Sequence, residues 1–115
     1  MEKTLTQTLN RLGIRHGLDG RVYLEEAIKA RIETPIGKVG DLYNFIGKKY
    51  GKKWSCIERS IRLSIYSSET TCDKELFEEI IGYSIDRVKP TNSKYICAVA
   101  DYLRKLNPIR KSWER

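Results

Sequence analysis

Ser55, Glu58, Arg59, Arg62 and Tyr66 recur at helical spacing, so a helix over this stretch places them on one face. Together they offer a hydroxyl, a carboxylate, two guanidinium groups and a phenol. That set suits the edges of DNA base pairs. Arginine's parallel donors match the two major-groove acceptors of guanine, and a glutamate accepts from the cytosine amino group. Just upstream, Lys48, Lys49, Lys52 and Lys53 crowd into six positions. They are placed to meet phosphates, which position a protein on a duplex without reading its sequence. A plainer account exists: an amphipathic surface helix with a Glu58–Arg62 ion pair at i,i+4, a pattern that many unrelated helices share.

Other chemistry is hard to place. Cys56, Cys72 and Cys97 are widely spaced, form no Cys-x-x-Cys, and are accompanied by a single histidine, His16. Neither a zinc site nor a disulfide framework follows, and all three read as reduced thiols, Cys97 in the core. There is no glycine-rich phosphate loop and no nucleophile–base arrangement. The chain is therefore not expected to be an enzyme, and no cofactor or metal is expected.

The elements that must hold the reading residues are a helix over about 38–50, a turn at Gly51, and a helix over about 54–66. Gly47 lies four positions before Gly51 and Ile57 six after it, the spacing of a helix-turn-helix. A small residue lets the second helix pass close to the first, glycine takes the left-handed turn, and the apolar residue pins the second helix to the core. Trp54, Ile57, Ile61 and Ile65 are expected to face inward. Upstream, helical spacing predicts helices over 3–12 and 21–32, with Gly13, Gly17 and Gly20 keeping the connector turn-like. Downstream it predicts a loop over 67–71, then an acidic helix over 73–81 capped by Gly82. A last helix starts at Thr91-Asn92-Ser93, each able to accept backbone N–H bonds, and Pro108 stops it before a basic tail. No stretch alternates with period two. The expectation is an all-α fold, a six-helix bundle in one domain over residues 1–115.

Charge favours the same region. The net +7 is unevenly spread: residues 38–66 carry seven Lys/Arg against two Asp/Glu, whereas the segments on either side carry +1 each. A basic patch of this kind is the electrostatic footprint of a nucleic-acid binder, although solubility alone also accounts for a basic face. The longest apolar run, Ile96–Ala100, is far too short to span a bilayer, and no signal-peptide core follows the N-terminus. A cytoplasmic location is expected.

Several motifs, in order, resemble one family. Lys89-Pro90-Thr91-Asn92-Ser93, continuing through Val99-Ala100-Asp101 to Leu103-Arg104, is similar to the last helix of the C-terminal DNA-binding effector domain of the sporulation-initiation response regulator of endospore-forming bacteria. Lys48-Lys49-Tyr50 resembles the end of its first helix-turn-helix helix. Ser55, Glu58-Arg59 and Ile61-Arg62 resemble its recognition helix, and Leu12-Gly13, Tyr23-Leu24 and Glu26-Ala27-Ile28 its opening. The similarity covers roughly residues 9–106. It implies a transcription regulator that docks one helix in the major groove of a short promoter box containing a C·G step. Glu58 and Arg59 would then read bases, with Ser55 and Arg62 supporting base or phosphate contacts. It also implies double-stranded promoter DNA as partner and a head-to-tail dimer on tandem sites; RNA polymerase or a sigma factor is a further candidate partner, through the acidic helix over 73–81.

The chain departs from the family at two reading positions. Cys56 stands where an arginine is typical and Leu63 where a histidine is, weakening two DNA contacts. The connections around 31–38 and 66–73 are a few residues shorter, which bears on box preference and the dimer contact. The family's usual N-terminal receiver domain has no room here. The reading is an excised domain or a stand-alone regulator, with Met1 leaning toward the latter. The competing function is a helical protein-interaction module that touches transcription machinery or a related regulator.

Overall fold

Leucines at positions 5, 9 and 12 fall one or two turns apart, and the computed structural model, which describes residues 2–35 and 37–106, buries all three on one side of the first helix and its exit. That helix is α1 (Glu2–Arg11). It is followed by α2 (Asp19–Glu33), α3 (Val39–Tyr50), α4 (Trp54–Ser67), α5 (Lys74–Ile81) and α6 (Asn92–Leu106). The fold is all-α, with these six α-helices and no strand among the described residues, and the helix-turn-helix pair falls where the periodicity places it. Pro108 and the basic tail lie outside the described residues.

Helix α2 is the hub, packed against α3, α4 and α6. Its inner stripe of Tyr23, Leu24, Ala27 and Ile28 is buried against Ile57, Ile61 and Ile65 of α4 and Ile96, Val99 and Leu103 of α6. Burying each of these leucine, isoleucine and valine side chains contributes about 1.5–3 kcal/mol, and tertiary packing of this kind, more than helix propensity, stabilises the helices.

Three features differ from the expectation. Gly20 is not in the connector but in the first turn of α2, where it meets α4 almost backbone to backbone. A Cβ there would lie 1.9 Å from Ser64 Oγ and 2.4 Å from Ser60 O. The stretch expected as a loop after α4 contains a 3₁₀ turn, Ser68–Thr70. Ser68 is buried there and its hydroxyl donates to Ile65 O at 2.6 Å, so the helix end tightens rather than opens. Helix α5 begins one residue late because Asp73 is its cap, accepting from Leu76 N at 3.1 Å. Arg11 holds the same carboxylate at 2.6 Å, and together these bonds keep it below the usual carboxylate range, the arginine most of all.

Arg21 is a charge the pattern conceals. It is 2% exposed, and its guanidinium donates to Glu25 at 2.6 Å, Ile14 O at 2.6 Å and Thr6 O at 3.3 Å. Unpaired, a buried cation would be strongly destabilising; here it ties α1 and the connector to α2.

Candidate nucleic-acid interface

The turn between α3 and α4 is built from two glycines. Gly51 takes the left-handed conformation, φ 67° and ψ 37°, and Lys52 N then donates back to Gly47 O at 2.8 Å. A Cβ on Gly47 would sit 2.5 Å from Lys52 O, so only glycine lets the turn close onto α3. The chain enters α4 at Lys53 with no side-chain cap, and a groove opens beside that helix start. Asn44, Lys48, Lys52, Lys53, Trp54 and Ser55 line it.

Ile57, Ile61 and Ile65 anchor α4 inward, which leaves Ser55, Arg59 and Tyr66 exposed and Glu58 and Arg62 half-buried on the outer side. Trp54 departs from the inward expectation. It is 56% exposed, because the first turn of α4 has not yet reached the core and the indole lies along the lysine groove. Glu58 and Arg62 form an ion pair, one guanidinium nitrogen lying 2.7 and 2.5 Å from the two carboxylate oxygens. Arg59 makes no ion pair among the described residues.

The four lysines divide. Lys48, Lys52 and Lys53 are exposed together on the groove, whereas Lys49 turns toward α2 and donates to Glu26 at 2.7 Å. Tyr50 donates to the same carboxylate oxygen at 2.9 Å and stacks edge-on against Tyr23, with centroids 5.3 Å apart. The Lys49 bond, reinforced by Tyr50, keeps the Glu26 carboxyl below its ordinary range; Glu26 in turn raises Lys49.

Behind α4 the structure places a residue assigned elsewhere by its sequence. Of the three potential caps before α6, Thr91 does the capping, its Oγ1 accepting from Lys94 N at 3.1 Å. Asn92 is 7% exposed, and its side-chain amide donates instead to the backbone carbonyl of Glu58 at 2.9 Å. Tyr43 of α3 lies beside Asn92, Glu58 and Arg62, its hydroxyl proton held more tightly chiefly because of burial. Lys89, three residues earlier, pairs with Glu69 at 2.7 Å and lies over the Tyr66 ring at 5.6 Å. Three adjacent capping residues can supply only one cap, and that surplus was the available signal for Asn92. For Asn44 it was the i,i+4 step to Lys48.

Cys56 is exposed on α4, and Cys72 is half-buried, its thiol pushed up to about 11 by burial. Cys97, expected in the core, is only half-buried, on the side of α6 that it shares with Tyr102 and that faces Ile80 of α5. No helix of the described residues is long and apolar enough to cross a membrane. Compared with known families, residues 5–103 match the family described as Sporulation initiation factor Spo0A C terminal.

Proposed function

The chain belongs to the sporulation initiation factor Spo0A C-terminal family, a family of DNA-binding transcription-regulator domains rather than of enzymes, and from that premise we propose how it engages DNA. Helix α4 docks in the major groove of a short promoter box. Arg59 reads a guanine, Glu58 accepts from a cytosine, and Ser55 and Arg62 add base or phosphate contacts. Lys48, Lys52 and Lys53 meet phosphates beside the uncapped start of α4, where the helix dipole also favours an anion. Lys49 joins them only by exchanging Glu26 for a phosphate.

One observation carries this reading. The open face of α4 and the lysine groove are continuous at Ser55, so a single duplex can meet both. Glu75, Glu78 and Glu79 make the exposed side of α5 acidic, which suits a protein partner such as RNA polymerase or a sigma factor rather than DNA. On tandem boxes two copies would sit side by side, in the cytoplasm where the promoters are.

Selection from random duplexes at fixed salt tests the proposal. It is expected to enrich one short motif containing a C·G step, with affinity for that motif falling steeply as salt rises. Enrichment of no motif, or affinity insensitive to salt, would favour the protein-interaction reading instead.

A further inference from the structure

We propose that Asn92 is a positioning residue for base reading, the inner brace that sets how α4 presents Glu58 and Arg59. The inference rests on the reading of that face given above. The bond it invokes spans 34 residues of sequence and joins the first residue of α6 to the backbone of the residue next to Arg59. A helix carbonyl has two lone pairs, so Glu58 O can serve its own helix and Asn92 together.

The Asn92 amide is buried and also bonds Tyr43 of α3, so losing Glu58 O would leave one of its two N–H groups unsatisfied, and rotation of α4 away from this bond is penalised. The same segment meets the end of α4 a second time through Lys89, which lies over the Tyr66 ring and pairs with Glu69 in the 3₁₀ turn that follows. Residues 58 and 66 are eight apart, about 12 Å along a helix, so the two grips fix both roll and direction. Isoleucine packing alone does not, since apolar side chains tolerate small rotations that a hydrogen bond does not. Base reading needs placement to within about 0.5 Å, and the brace supplies it from behind without touching DNA.

The test compares wild type, Asn92→Ala and Asn92→Asp on the best duplex, its single-base variants and an unrelated duplex, all at one salt concentration. Asn92→Asp keeps the shape and replaces the donor with an acceptor, which separates the bond from packing. Both variants should lose roughly three- to tenfold of their discrimination, the worth of one neutral hydrogen bond, at the base pairs that Glu58→Ala and Arg59→Ala affect. For Asn92→Ala, affinity for the unrelated duplex and the salt slope should stay as in wild type; the charge added by Asn92→Asp should weaken every duplex by a common factor, so its readout is the discrimination ratio alone. A folded Asn92→Ala that weakens all duplexes alike, or wild-type discrimination ratios in both variants, would overturn the inference. In the unsubstituted protein the Asn92 side-chain amide should exchange slowly with solvent, and fast exchange would overturn the brace without any variant. If Glu58→Ala and Arg59→Ala themselves leave base preference unchanged, the face assignment fails and takes this inference with it. That failure is recognisable because both variants keep Asn92 intact.

Discussion

Glu58 and Arg59 are neighbours on α4 and behave oppositely in a field of phosphates. Arg59→Ala should cost roughly 1–3 kcal/mol at one G·C pair, measured as the affinity ratio between the best duplex and its variant at that position. Glu58 is repelled by phosphates at long range, so Glu58→Ala should leave binding to unrelated duplexes equal or stronger while relaxing discrimination at a cytosine. Its i,i+4 bond to Arg62 is half-buried at the surface and worth under about 1 kcal/mol, too little to account for such a change by itself. The lysines give a second prediction. Replacing Lys48, Lys52 or Lys53 with alanine should each lower the salt slope by about one unit, since one counterion fewer is released. Lys49→Ala should lower it less, and Glu26→Gln should raise non-specific affinity by freeing Lys49. Equal slopes for all four lysines would contradict the division seen here. Residue types on the outer face of α4 were readable from spacing, because helical period alone orders a face. The tether of Lys49 was not, because a contact between residues 26 and 49 leaves no local mark. Trp54 was misread for a related reason: period tells which face a residue shares, but not where along a helix the core begins.

The helices themselves were legible almost to the residue, since apolar stripes at 3.6-residue spacing persist wherever a helix packs on α2. What periodicity could not show was how closely two helices approach. Gly20 reads as a turn residue among Gly13 and Gly17, yet it is the crossing point of α2 and α4. Gly20→Ala should therefore destabilise the fold by about 1–3 kcal/mol in denaturant unfolding, because the added methyl meets Ser60 backbone as well as a movable hydroxyl. Gly40→Ala is the control. That glycine lies in α3 with open space around its Cβ and an ordinary helical φ, so alanine should stabilise by about 0.4–1 kcal/mol. Destabilisation of equal size at both positions would mean that glycine content, not the α2–α4 approach, is what matters. The 3₁₀ turn after α4 escaped notice because Ser-rich sequence has no apolar period; its order comes from hydroxyls such as Ser68 donating back to the helix end.

Across the whole molecule, the charge excess of residues 38–66 coincides with the helix-turn-helix, and this was visible from counting charges alone. The carboxylates that stabilise the fold are elsewhere. Glu26 and Asp73 are both held below their ordinary values, by Lys49 and Arg11 first of all. A depressed folded-state value contributes stability that is present above the unfolded value and lost as pH falls through the folded one. The denaturant midpoint should thus stay level from neutrality down to the carboxylate range and drop below it, and Glu26→Gln should flatten the drop. A midpoint that falls between pH 7 and 6 would point to other groups. That α4 lies in the major groove with Arg59 on a guanine is tested most directly by methylation protection of the selected duplex. Dimethyl sulphate attacks guanine N7 in the major groove and adenine N3 in the minor groove. The bound domain should protect guanine N7 within the box and leave adenine N3 reactive, and saturating Arg59→Ala should restore attack at one guanine only. Protection of adenine N3 with guanine N7 left open, or a pattern that Arg59→Ala does not change, would contradict it.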